Sequence, residues 1–156
     1  MSGAFGQRGR RQPSPSRTLV DPRAPRFGQA VTATVLLAGV VFGVPSAVYA
    51  IAVILGLAVI SGWRLDLYGL VWKFVLIPLV GRPPERESAA PHRFAKLLGA
   101  VGTAIASVLL LANLPLAGYA VAFLVAALAG LAATTGFCLG CRMYREVSVL
   151  QRIGVV

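Results

Sequence analysis

Two long uncharged stretches organise this chain, Phe27 to Trp63 and Leu97 to Cys141. Read as one helix, the first would be about 55 Å long, against a membrane hydrocarbon core of about 30 Å. It must therefore fold back, and Gly43-Val44-Pro45-Ser46 is the good break, with Pro45 suited to a tight turn or a first helical turn. The second stretch breaks at Asn113-Leu114-Pro115. The pattern predicts four spans, near 27–44, 46–63, 95–112 and 116–137. Pro22 and Pro25 bias their preceding residues away from the α region, so the first helix is expected to begin after Pro25. The polar middle, 64–96, contains one apolar segment, Leu67 to Ile77, interrupted by Lys73 and followed by Pro78. That segment is too short to span, and Tyr68, Trp72 and Lys73 suit a helix lying in the membrane interface. Gly81 to Ser88 reads as a loop, and the residues after Cys138 as a short interfacial or cytoplasmic helix ending near Arg152.

The chain also repeats itself. Arg26-Phe27 is echoed by Arg93-Phe94, and Pro45-Ser46-Ala47-Val48-Tyr49-Ala50 by Pro115-Leu116-Ala117-Gly118-Tyr119-Ala120. A further, weaker register sets Leu67-Tyr68-Gly69-Leu70 against Cys138-Leu139-Gly140-Cys141. The expected fold is all-α and integral to the membrane: four transmembrane helices forming two parallel helical-hairpin repeats, each followed by a short interfacial segment. This membrane domain covers 20–152, and residues 1–19, with almost nothing to bury, form a disordered basic tail. Polar groups in the spans are sparse (Thr32, Thr34, Thr103, Ser107, Thr134, Thr135), and no carboxylate or basic residue of an ion pathway appears there. The pairs Gly39/Gly43 and Gly136/Gly140 have the spacing that allows close helix contact.

Composition agrees with a bilayer setting. The chain is 57% hydrophobic and 13% charged, against about 45–50% and about 25% for soluble domains. The net charge of +10 would point to nucleic acid in a soluble protein, but here the basic residues flank apolar runs, and no nucleic-acid partner is expected. Arg8, Arg10, Arg11, Arg17, Arg23 and Arg26 precede the first span, and Arg64, Lys73, Arg82, Arg86, Arg93 and Lys96 lie in the middle. Arg142, Arg145 and Arg152 follow the last span, and the two hairpin turns carry no basic residue. Four spans place all fifteen on one face, which the positive-inside rule makes cytoplasmic, together with both termini. A fifth span through 67–81 would bury Lys73 and scatter this charge. Val48-Tyr49-Ala50 resembles a signal-peptidase site, but the apolar run continues past it and the local pattern recurs after Pro115.

The candidate chemistry lies in the only two cysteines, Cys138 and Cys141. A Cys-x-x-Cys pair sets two sulfurs close enough to bridge, and a nearby cation, here Arg142, favours the thiolate. The pair follows a long helix, whose C-terminal dipole disfavours a thiolate unless Gly136 and Gly140 break it and a new helix starts near Cys141. Three readings stand together: a redox or sulfur-transfer dithiol, a metal site, or two small soft residues that pack an interface. A zinc site needs four ligands, and the chain offers Cys138, Cys141 and His92 unless a homo-oligomer supplies more. No Ser–His–acid set, carboxylate pair or glycine-rich phosphate loop appears, so no cofactor is expected and hydrolase chemistry has no handle. A structural subunit of a membrane complex and a small oligomeric transporter are the competing classes.

Asp21-Pro22-Arg23-Ala24-Pro25-Arg26-Phe27, its echo Pro91-His92-Arg93-Phe94, and Thr135-Gly136-Phe137-Cys138-Leu139-Gly140-Cys141 together resemble a bacterial integral-membrane family, domain of unknown function 4395. The resemblance covers roughly residues 20–150. It implies a bacterial plasma membrane location. Members often occur near thioredoxin-like and sulfurtransferase proteins, which implies redox or sulfur chemistry at Cys138 and Cys141 with such a soluble partner.

Overall fold

A computed structural model describes residues 19–81 and 87–154. Residues 1–18 of the expected tail 1–19 and the loop residues 82–86 lie outside the described residues, and Leu19 belongs to a strand. Among the described residues the chain is helical apart from turns and one two-residue antiparallel pairing, in which Leu19–Val20 (β1) meets Glu87–Ser88 (β2) and ties the entry of the first long helix to that of the third. The end of the expected loop is thus a short strand.

Helix α1 runs from Arg23 to Phe42 and α2 from Pro45 to Ile60. Helix α5 runs from Ala89 to Leu111 and α6 from Pro115 to Thr135. Both turns are built alike. A left-handed residue, Gly43 (φ 64°) or Asn113 (φ 60°), ends the first helix, and proline at the first helical position starts the second. Two helices begin earlier than expected. Pro25 and Pro91 lie inside the first turns of α1 and α5 rather than before them, because a first-turn amide has no intrahelical acceptor to lose.

The polar middle holds α3 (Leu67–Val71), a π-helical turn (Trp72–Leu76) and α4 (Ile77–Val80), so the expected interfacial helix continues past Pro78. The wider π-turn shifts the hydrogen-bond register just ahead of the proline, a common way to carry a missing donor.

Four long helices pack in a ring, with α1 against α2 and α6, and α5 against α2 and α6. The first hairpin supplies large core residues, Leu36, Val48, Ile51 and Leu55, whereas the second supplies Ala100, Ala106, Ala122 and Ala126. Small residues let α5 and α6 approach closely: a Cβ on Gly102 would lie 2.6 Å from Val125, and one on Gly118 2.7 Å from Leu110. The expected glycine pairs divide their roles. Gly39 packs on Ala47 and Gly140 on Ala95, while Gly43 and Gly136 are left-handed turn residues.

Three of these helices, Arg23–Phe42, Ala90–Leu111 and Pro115–Thr135, are long and apolar enough to cross a membrane. Helix α2, at 16 residues or about 24 Å, is shorter. Leu37, Val41, Val53, Leu57, Val101, Ile105, Val108, Phe123 and Leu124 face outward, more apolar surface than water tolerates and suited to lipid.

Candidate functional site

Helix α6 ends at Thr135, and Gly136 (φ 72°) turns the chain. Thr135 Oγ1 takes the Phe137 amide at 3.1 Å, and α7 (Leu139–Ile153) then begins. The Cys138 carbonyl accepts the Arg142 amide at 3.0 Å, the first bond of α7. The cysteine motif therefore opens a new helix, two residues earlier than the start expected at Cys141. Two contacts fix this junction. Gly140 rests on α5, where a Cβ would come within 2.9 Å of the Ala95 Cα. The Arg26 guanidinium lies over Gly136, with Nη2 2.6 Å from where a Cβ would stand, and so places a cation at the C-terminal end of α6.

Cys138 is half-buried, and Gln29 Nε2 donates to its sulfur at 3.7 Å. It borders a cavity of about 150 Å³ between α1, α5, α6 and α7, whose polar lining is Gln29, Thr32, Tyr68, His92 and Lys96. Gln29 and Thr32 share one face of α1. Thr32 Oγ1 and the Tyr68 hydroxyl are 2.9 Å apart in a buried hydrogen bond. Burial pushes the Tyr68 phenol above its ordinary range, partly offset by the Thr32 hydrogen bond, while the Asp66 charge pushes the same way as burial. Lys96 forms an ion pair with Asp66, and its ammonium lies 5.8 Å from the centre of the Tyr68 ring. A polar strip thus runs from Cys138 across the bundle end to Asp66.

The expected site residues separate. Cys138 and His92 line the same cavity. Cys141 lies in the first turn of α7, and its side chain lies outside what is described. Arg142 is exposed, with its guanidinium 5.5 Å from the centre of the Phe137 ring. Among the described side chains, which exclude that of Cys141, no three of His, Cys, Asp and Glu converge as metal ligands. Sequence reasoning missed Gln29 and the Asp66–Lys96 pair. The three-residue spacing of Gln29 and Thr32 was a usable signal for the first, but nothing local linked Asp66 to Lys96.

Apolar helices and a polar bundle end define a small helical protein of membrane type. A family model, Domain of unknown function (DUF4395), matches residues 20–148, and the chain belongs to that family. No curated protein and no solved structure matches it.

Proposed function

We propose that this is a four-span bacterial inner-membrane protein, built as two parallel hairpins with both termini cytoplasmic. In this reading it presents Cys138 and Cys141 at the cytoplasmic face for thiol–disulfide or sulfur-transfer chemistry with a soluble thioredoxin-like or sulfurtransferase protein. The observation that supports the reading is the break at Gly136. It sets Cys138 at the start of α7, where a helix dipole favours a thiolate, rather than at the end of α6, where it opposes one. In the exchange step one cysteine thiolate attacks a partner disulfide and expels a partner thiolate. The second cysteine thiolate then attacks the mixed disulfide. The chain ends oxidised, and the partner leaves as a dithiol carrying the two electrons. Arg142 sits one residue after Cys141, available to pair with a thiolate once it leaves Phe137.

A scaffold role is the second reading, supported by the close seat of Gly140 on Ala95, which gives the junction a packing function of its own.

Thiol labelling tests both. A membrane-impermeant maleimide should label inverted vesicles and not intact cells, with labelling increased by prior reduction. Labelling from outside intact cells would overturn the topology. Free thiols at all times, with normal growth of the Cys138→Ser, Cys141→Ser double variant, would select the scaffold.

A further inference from the structure

Beside the dithiol end lies a second cleft, of about 230 Å³, with a different character. Its lining includes Trp63 and Arg64 from the turn after α2, Lys73 from the π-turn, and Arg93 and Lys96 from the start of α5. Three separate elements therefore bring cations to one concavity. Among the described residues Asp66 is the one carboxylate on its wall, and Lys96 already holds it. Arg64, Lys73 and Arg93 remain without a carboxylate partner among the described residues. Two of them rest on aromatic faces instead: Arg93 lies 5.7 Å from the Trp63 ring centre and Lys73 5.6 Å from that of Phe74. Trp63, on this wall, has φ 70°, a left-handed conformation that strains a side-chain-bearing residue.

We infer that this cleft binds a phosphate group, that of an anionic phospholipid headgroup. Several converging cations with arginine among them match the oxygens of a phosphate better than a single carboxylate. The volume holds several water-sized groups, enough for a phosphate and its ester arm. Leu70 in the wall, with exposed Phe74 and Val75 on the same helix, offers apolar surface for the chains that follow the headgroup. Basic pockets at the cytoplasmic ends of membrane helices take such headgroups. The inference is independent of any cysteine chemistry.

Native mass spectrometry of the full chain tests it, with protein extracted from bilayers of phosphatidylcholine doped with phosphatidylglycerol. Phosphatidylglycerol should be retained in preference to phosphatidylcholine. An Arg64→Gln, Arg93→Gln variant should lose that preference by about thirtyfold. An Arg142→Gln, Arg145→Gln variant, matched in charge but away from the cleft, should stay within about twofold. If the first variant fails to fold, Lys73→Gln, at an exposed position, should lower retention about fivefold. Displacement of the lipid by millimolar inorganic phosphate would identify a free phosphate ester as the ligand, and persistence would identify the lipid. Equal retention in the cleft and control variants, or no preference in the wild type, overturns the site.

Discussion

Trp72 is tied to Asp21 by a hydrogen bond from its indole nitrogen to Oδ2 at 2.9 Å, while Oδ1 of the same carboxylate takes the Arg23 amide at 2.9 Å. One side chain caps α1 and anchors the Leu67–Val80 helix to it, and the Phe27 and Trp72 rings, 5.8 Å apart, extend the contact. Asp21→Ala should cost about 1–3 kcal/mol, the sum of a lost cap and a lost hydrogen bond. Asp21→Asn, which still caps, should cost less. Unfolding in mixed micelles gives the stability, and Trp72 fluorescence in a Trp63→Phe background reports release of the Leu67–Val80 helix.

Gly140 should not tolerate a methyl group. With Ala95 backbone 2.9 Å from the added carbon, Gly140→Ala must push α7 off α5, at about 1–3 kcal/mol. Gly56→Ala, inside α2 with nothing within 4 Å, should instead be neutral or stabilising by up to about 1 kcal/mol. Thermal unfolding of the two variants checks the contrast, and a changed alkylation rate of Cys138 in a Cys141→Ser background would locate the shift at the junction.

Tyr68→Phe should cost about 1 kcal/mol or more, since it leaves the Thr32 hydroxyl, only 5% exposed, without its partner across the interface. Adding Thr32→Val should recover part of the loss. The phenol has its native pKa raised above an ordinary value of 10.0, so its contribution to stability is complete below that value. It is lost as pH rises through the raised native value. Phenolate absorbance, compared between wild type and Tyr68→Phe, should place the missing titration above the ordinary tyrosine range.

The Lys96–Asp66 pair is 18% and 24% exposed, so solvent screens it only in part. Lys96→Met should cost about 1–2 kcal/mol by leaving Asp66 uncompensated beside Tyr68. Asp66→Asn in the same chain should restore most of it. A double-mutant cycle measured by unfolding gives the coupling, and strictly additive losses would show that the pair does not act as one unit.

Run length, proline position and the placement of charge were enough to locate the apolar helices, because each reflects a local requirement of the backbone or the bilayer. Gly43-Val44-Pro45 and Asn113-Leu114-Pro115 could be read as turns without any neighbour in view. The early starts of α1 and α5 were not legible, because proline rules alone do not reveal that Asp21 takes the Arg23 amide. The motif at Cys138 was visible as a spacing, but its setting was not. Whether Gly136 ends α6 depends on Arg26 lying across it and on Ala95 receiving Gly140, contacts made by residues far apart in the chain. Tertiary packing likewise brought Gln29 to Cys138, Thr32 to Tyr68 and Asp66 to Lys96, and gathered Arg64, Lys73 and Arg93 around one cleft. Sequence by itself determined which segments suit lipid, since that depends on the summed transfer energy of consecutive side chains. Only the tertiary structure decided which polar side chains share a site, since a hydrogen bond or ion pair depends on ångström-scale placement that one segment cannot encode.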